Sequence, residues 1–223
     1  MIRGQFIVLE GIDGSGTTTT AALLAKRFAA ANLPALVTAE PSAGPVGVVI
    51  RQVLSGRLVL QSKQGLVSPS WKSMALLFAA DRQDHIEAEI SPNLEDGVNV
   101  LCDRYVYSSV IYQSISSEDL DAASWIKQIN RHAVRPDLVL YCKVAPDEAH
   151  RRRVGRDRRT EIFDDPDFQR RLSDAYDGLP EMFPDTRVAV IDCNRSQEDV
   201  VEQCWHEILR LRDLGAPEDI CTI

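Results

Sequence analysis

The 223-residue chain has no apolar run near the ~20 residues that a membrane-spanning helix requires. Its apolar opening, Phe6 to Leu9, soon meets Glu10 and Asp13 and is too short for a signal peptide. Cysteine pairing is missing too. Cys102, Cys142, Cys193, Cys204 and Cys221 make no CxxC pair and do not cluster with His85, His132, His150 or His206. A zinc module and a disulfide scaffold are thereby excluded, and reduced thiols in a cytoplasmic protein are expected. The scattered histidines read as surface or packing residues. Positive charge is in deficit: 25 basic against 33 acidic side chains leave a net charge of −8. Nucleic-acid polymers and anionic membranes reward a clustered positive field, so neither is expected as a partner. An anionic ligand must be held by local groups.

What is present is 44% hydrophobic residues, enough for one sizeable core. Short apolar runs at Phe6–Glu10, Ala35–Ala39, Val98–Asp103, Leu138–Val144 and Val188–Asp192 alternate with longer amphipathic stretches. That alternation predicts an α/β fold: a parallel sheet with helices on both faces, buried strands reading as continuous apolar runs. Helices are expected after Gly16 and near Val46, Pro69, Tyr105, Ser117, Pro146, Pro166 and Ser196, with Ser117 and Ser196 as capping residues. One domain over residues 1–214 is expected, followed by a loosely held tail at 215–223.

The segment Gly11-Ile12-Asp13-Gly14-Ser15-Gly16-Thr17-Thr18 lies between the first strand and the first helix. This is the context in which glycine-rich loops turn their backbone N–H groups around a phosphate, facing the positive end of the helix. Thr18 stands where such loops place a magnesium ligand, and Thr17 stands where they place a lysine. That lysine would stabilise charge on the transferred phosphoryl group, so the missing cation must come from elsewhere. Lys26 lies more than two helical turns away. Arg151, Arg152, Arg153, Arg156, Arg158 and Arg159 crowd into nine residues after the fourth predicted strand, and planar guanidinium groups clamp phosphate oxygens. The alternative is a solvated face balanced by neighbouring acids. Asp103, at the carboxyl end of a buried strand, suits the second magnesium-directed group, with Arg104 beside it for a second phosphate. Phe78 and Arg82 lie one helical turn apart, able to stack a base and hold its edge, though Phe78 reads equally well as core.

Taken in order, these segments resemble the thymidylate kinase family of P-loop nucleoside-monophosphate kinases over Phe6 to about Tyr176. The resemblance rests on Phe6-Ile-Val-Leu-Glu-Gly-Ile-Asp-Gly-Ser-Gly16, Glu40-Pro41, Leu77-Phe78-Ala-Ala-Asp-Arg82, Asp103-Arg104-Tyr105-Val106 with Ser108, Ser109, Tyr112 and Gln113, and Pro136-Asp137-Leu138. It implies a three-layer P-loop fold with a five-stranded parallel sheet, and a homodimer that transfers the γ-phosphoryl group of Mg-ATP to dTMP. It further implies that ATP is bound by Gly11, Ile12, Asp13, Gly14, Ser15, Gly16, Thr17, Thr18 and Thr19, with Mg2+ on Thr18 and Asp103. Asp13, Arg51 and Arg104 would surround the dTMP phosphate, Phe78 the thymine, and Arg82, Ser109 and Gln113 the base edge. Glu40 belongs to the same acceptor site, and Tyr112 would lie beside the deoxyribose. The uncharged Gly14 resembles the bacterial variety, in which a lid at about 151–161 supplies the assisting arginine. Arg153 and Arg156 then join Asp13 and Arg104 as catalytic residues.

The chain departs from the family pattern in several places. Thr17 replaces the loop lysine, Ala39 an arginine, and Ser42-Ala43-Gly44 a Gly-Gly-Thr; Lys143 and Ala145 stand where acids are usual, and Ile162-Phe163-Asp164 replaces Arg-Phe-Glu. Two other readings stay open: a nucleotide-binding, catalytically weak sensor, and a kinase for another nucleoside monophosphate.

Overall fold

The structure, a computed structural model, describes residues 3–63, 65–117, 119–154 and 165–213. Five parallel strands, β1 (Phe6–Glu10), β2 (Ala35–Ala39), β5 (Asn99–Asp103), β6 (Leu138–Lys143) and β7 (Val188–Asp192), form one sheet in the order β2-β5-β1-β6-β7. Every residue of β1 and β5 is buried. Strands covered on both faces need no polar alternation, which is why they appear in sequence as unbroken apolar runs. Helices α1 (Thr17–Ala30) and α10 (Gln197–Asp213) pack together beside the sheet. Helix α5 (Val106–Ile115) packs against α3 (Trp71–His85), α6 (Ala122–Ile129) and α8 (Pro166–Asp177). The edge-to-face pair Phe6–Tyr105 and the stacked pair Tyr141–Tyr176 join the chain after β5, and α8, to β1 and β6.

The order places β1 between its neighbours from opposite directions of winding, so the chain leaves β1 at the switch point of the sheet. Open α/β sheets bind ligands in the crevice at the carboxyl ends of the strands there. Helices α2 (Pro45–Leu54) and α7 (Pro146–Val154) flank that edge.

Several elements have no counterpart in the sequence expectations. Strands β3 (Leu60–Ser62) and β4 (Gly65–Val67) form an antiparallel hairpin. A π-helical turn, Ile86–Ile90, carries α3 into α4 (Ser91–Glu95), and the short α9 (Leu179–Met182) follows α8. The helix expected near Ser117 begins instead at Ala122: Ser117 accepts the Asp119 amide, closing a turn ahead of the helix. Ser196 does cap α10, its hydroxyl accepting the Asp199 amide at 3.2 Å. The 215–223 tail and residues 155–161 of the expected lid lie outside the described residues. Among the described residues, no helix is long and apolar enough to cross a membrane.

Candidate active site

The loop after β1 turns through Gly14 and Gly16, at φ 91° and 97°, in the left-handed region that side chains disfavour. Gly14 is also short of space: a Cβ there would lie 2.4 Å from the Ala149 carbonyl oxygen on α7. Gly16 immediately precedes α1, so the helix opens on the loop.

Asp103 ends β5 beside this loop. One of its oxygens accepts from the Thr18 hydroxyl, while its Oδ1 is buried without a hydrogen-bond partner. An oxygen-only pair with an orphaned carboxylate oxygen fits a hard divalent cation that keeps waters and phosphates as its other ligands. No group of three or more His, Cys, Asp or Glu side chains able to hold a metal occurs among the described residues.

Arg104 follows with φ 70°, a conformation few non-glycine residues adopt. Its amide donates to the Leu9 carbonyl at 2.9 Å. Its guanidinium reaches the Gly11 carbonyl at 2.9 Å, the Ser108 hydroxyl at 3.2 Å and Asp13 Oδ1 at 2.5 Å. Its guanidinium also stands over an aromatic face, 5.3 Å from the centroid of Tyr112. The strained residue is thus held by five contacts, which is how such conformations persist at sites.

A cavity of about 180 Å³ opens here, lined by Asp13, Glu40, Pro41, Leu54, Phe78, Arg82, Arg104, Tyr105, Ser108, Ser109, Tyr112 and Gln113. Seven of the acceptor-site residues named from sequence, Glu40, Phe78, Arg82, Arg104, Ser109, Tyr112 and Gln113, therefore share one wall system. Arg82 is almost wholly buried, held by Glu40 at 2.6 Å, Ser109 at 2.8 Å and Asn130 at 2.5 Å. Gln113 Oε1 is buried with no partner, an acceptor available to a donor on the ligand. Arg51 stands outside the cavity wall, its Nη1 donating to the Pro41 and Ser42 carbonyls at 2.8 and 2.6 Å. The unusual Ser42-Ala43-Gly44 turn is held by Asp81, which accepts from the Ser42 amide and hydroxyl at 2.7 and 2.6 Å.

A second cavity, about 400 Å³, lies on the other side of the loop, lined by Gly14, Ser15, Gly16, Thr19 and Thr20 opposite Arg151, Arg152, Arg195 and Gln197. Of the lid arginines, Arg153 donates to the Asp13 carbonyl at 3.3 Å. Arg151 pairs with Glu148, and Arg152 divides itself between Glu148 and the Cys193 carbonyl. Arg156 lies outside the described residues, as do Ile162-Phe163-Asp164. Thr17 is buried at the first position of α1. Lys143, unexplained by sequence, pairs with Asp177 at 2.8 Å.

Sequence reasoning missed four contributors. Glu10, fully buried, accepts from the Tyr105 and Ser108 amides, the Ser108 hydroxyl at 2.6 Å and Tyr176 at 2.9 Å. Burial raises its pKa, and the Ser108 and Tyr176 hydrogen bonds with the charge of Arg104 oppose that rise. Gln169 on α8 donates to Asp13 Oδ2 at 3.3 Å. Arg195 and Gln197 came from the far end of the chain. An acid ending a buried strand was the one available signal, for Glu10; glutamine and tyrosine on α8 carried none.

Of the two places expected for the histidines, surface or packing, His85 takes the second. It is 3% exposed and lies between Glu40 and Glu89.

A family model described as thymidylate kinase matches residues 9–204. The chain is 40% identical over 212 residues to the "Probable thymidylate kinase" of Pyrococcus horikoshii, covering 94% of this chain and 100% of that protein. The protein of the same name from Methanocaldococcus jannaschii is 39% identical, with 94% and 96% covered, and that of Methanococcus aeolicus is 42% identical over 77% of each chain. With the sheet order, the glycine loop and the clustered acceptor wall agreeing with that match, the chain belongs to the thymidylate kinase family and is a nucleotide kinase.

Proposed function

We propose that the protein phosphorylates dTMP to dTDP with Mg-ATP as donor, lid arginines serving in place of the absent loop lysine. The observation that carries this reading is the convergence of Phe78, Arg82, Ser109, Tyr112 and Gln113 on one cavity whose mouth holds Arg104 and Asp13. A thymine ring offers carbonyl oxygens and an N–H: Arg82 and Ser109 suit the former, and the unpartnered Gln113 Oε1 the latter. Phe78 supplies a ring face for stacking, and the buried Tyr112 fills the space that a 2′-hydroxyl would need. The monophosphate then faces Arg104, with the second cavity accepting ATP on the opposite side of the loop.

In that arrangement the acceptor oxygen approaches the γ-phosphoryl group in line, and catalysis is mainly positioning and charge stabilisation. Thr18 and Asp103 would hold Mg2+, which supplies neutralisation of the β- and γ-phosphate oxygens. Asp13 orients Arg104, and Arg153, already against the Asp13 carbonyl, is the described lid cation nearest the loop. Arg156 completes the lid set. A homodimer and a single catalytic domain over residues 1–214 belong to the same proposal.

The buried Thr17 hydroxyl in place of a lysine favours a second reading, a nucleotide-binding protein with feeble transfer. ADP release from Mg-ATP, measured against a panel of deoxy- and ribonucleoside monophosphates, separates the two. Turnover with dTMP well above the rest is expected; dTMP binding without turnover overturns the kinase reading in favour of the second.

A further inference from the structure

Outside the residues assigned above, His85 is the buried titratable group most closely wired to the acceptor cavity. Its Nδ1 lies 3.4 Å from Glu40 Oε1, and Glu40 Oε2 accepts from Arg82 at 2.6 Å. On its other side, Nε2 is 2.9 Å from Glu89 Oε2 and 2.7 Å from the Thr38 hydroxyl, which itself donates to Glu89 Oε2 at 2.6 Å. Counting protons decides the state of the ring. Carboxylates only accept, so Nδ1 must carry a hydrogen to face Glu40. The Thr38 hydrogen is committed to Glu89, so an Nε2 lone pair would confront two acceptors. With the Thr38 hydrogen on Glu89, both nitrogens serve as donors, the pattern that an imidazolium satisfies.

We propose that His85 is a positioning residue for the nucleobase pocket: as an imidazolium it fixes the Glu40 carboxylate that clamps Arg82 on the cavity wall. This rests on the reading of that cavity as the dTMP site. The buried Glu40 then has two buried cationic partners, Arg82 and His85, while the half-exposed Glu89 faces the outer nitrogen of the ring. Burial by itself would lower the pKa of His85, but its hydrogen bonds and charge interactions with Glu40 and Glu89 outweigh it and raise the value. The other titratable groups acting on Glu40 are Cys102 on β5 and Tyr105, both driven upward first by burial and so neutral. Removing the proton leaves Glu40 with one cationic partner instead of two, and its free oxygen then competes for the Arg82 fork that the base edge requires.

The side-chain amides of Asn and Gln separate the two nitrogens. In His85→Asn the amide nitrogen falls on the Nδ1 position and still faces Glu40; in His85→Gln it falls on the Nε2 position and faces Glu89. Steady-state kinetics with dTMP should give a KM raised about tenfold in His85→Gln, the loss of one charged hydrogen bond, with kcat and the ATP KM little changed. His85→Asn should stay within about threefold of the unmodified enzyme, and its dTMP KM should no longer climb as pH rises through the raised His85 value, as that of the unmodified enzyme does. Equal losses in the two variants, or a fall in kcat alone, overturn the proposal. On the unmodified protein, 15N chemical shifts of the His85 ring should report an imidazolium at about pH 7, titrating higher when dTMP is added. A neutral ring, or no response to dTMP, overturns it even if the variants fail to fold. If the unmodified protein neither binds nor phosphorylates dTMP, the substrate reading falls instead, while the ring shifts still decide whether His85 is charged.

Discussion

Arg104 concentrates the chemistry of the site in one residue. Its backbone at φ 70° carries a strain of about 1–3 kcal/mol, held by contacts to Leu9, Gly11, Asp13 and Ser108. Those contacts use several prongs of a rigid fork, which a lysine point charge lacks. Arg104→Lys should therefore lower kcat/KM for dTMP about 100-fold while leaving the ATP KM near its original value, as steady-state kinetics would report. Unchanged kcat/KM would remove Arg104 from the site. At this scale the sequence was readable where a residue type is rare at its place, as for an acid–arginine pair ending an apolar strand. It was silent for Gln169 and Tyr176, whose meaning depends on α8 folding back over β1 and β6. The hydrogen bonds of His85 were illegible for a related reason: its partners Thr38, Glu40 and Glu89 come from a strand, a loop and a π-helical turn.

Among the elements, the central strands were legible because burial on both faces favours near-continuous apolar runs, and β1 with the part-exposed edge strands β2 and β7 begins and ends as expected. The β3–β4 hairpin was not, since its residues are mostly exposed and hold no apolar alternation. Nor was the π-helical turn, which shares no period with the helix it extends. Helix α7 carries the proposed part in transfer. Arg152 and Arg153 are part-buried and bound to Glu148, the Cys193 carbonyl and the Asp13 carbonyl, while Arg151 pairs with Glu148 at the surface. If α7 and the residues after it supply the cation missing at Thr17, replacing Arg153 and Arg156 together by alanine should lower kcat about 100-fold or more with the dTMP KM changed only about twofold. Equal loss in both terms, read from initial rates, would assign these arginines to acceptor binding instead.

For the whole molecule, the buried charges set how stability responds to pH. Glu10 has its pKa raised from 4.5, chiefly by burial, so folding disfavours its charged form and stability declines as pH climbs through that range. His85, raised from 6.5 by its two glutamates against the pull of burial, contributes stability that is complete below 6.5 and lost as pH passes its folded value. Both slopes have one sign. The urea midpoint should be higher at about pH 6 than at about pH 8, and His85→Asn should flatten that difference; a midpoint rising with pH would contradict both assignments. A different consequence follows from the seat of Gly14 against Ala149. Any side chain at position 14 would strike the α7 backbone, so this chain has no room to carry a helping arginine on the loop itself. A cation missing at Thr17 therefore cannot be replaced from position 14, and mutations that restore activity to a weakened variant should surface away from that position.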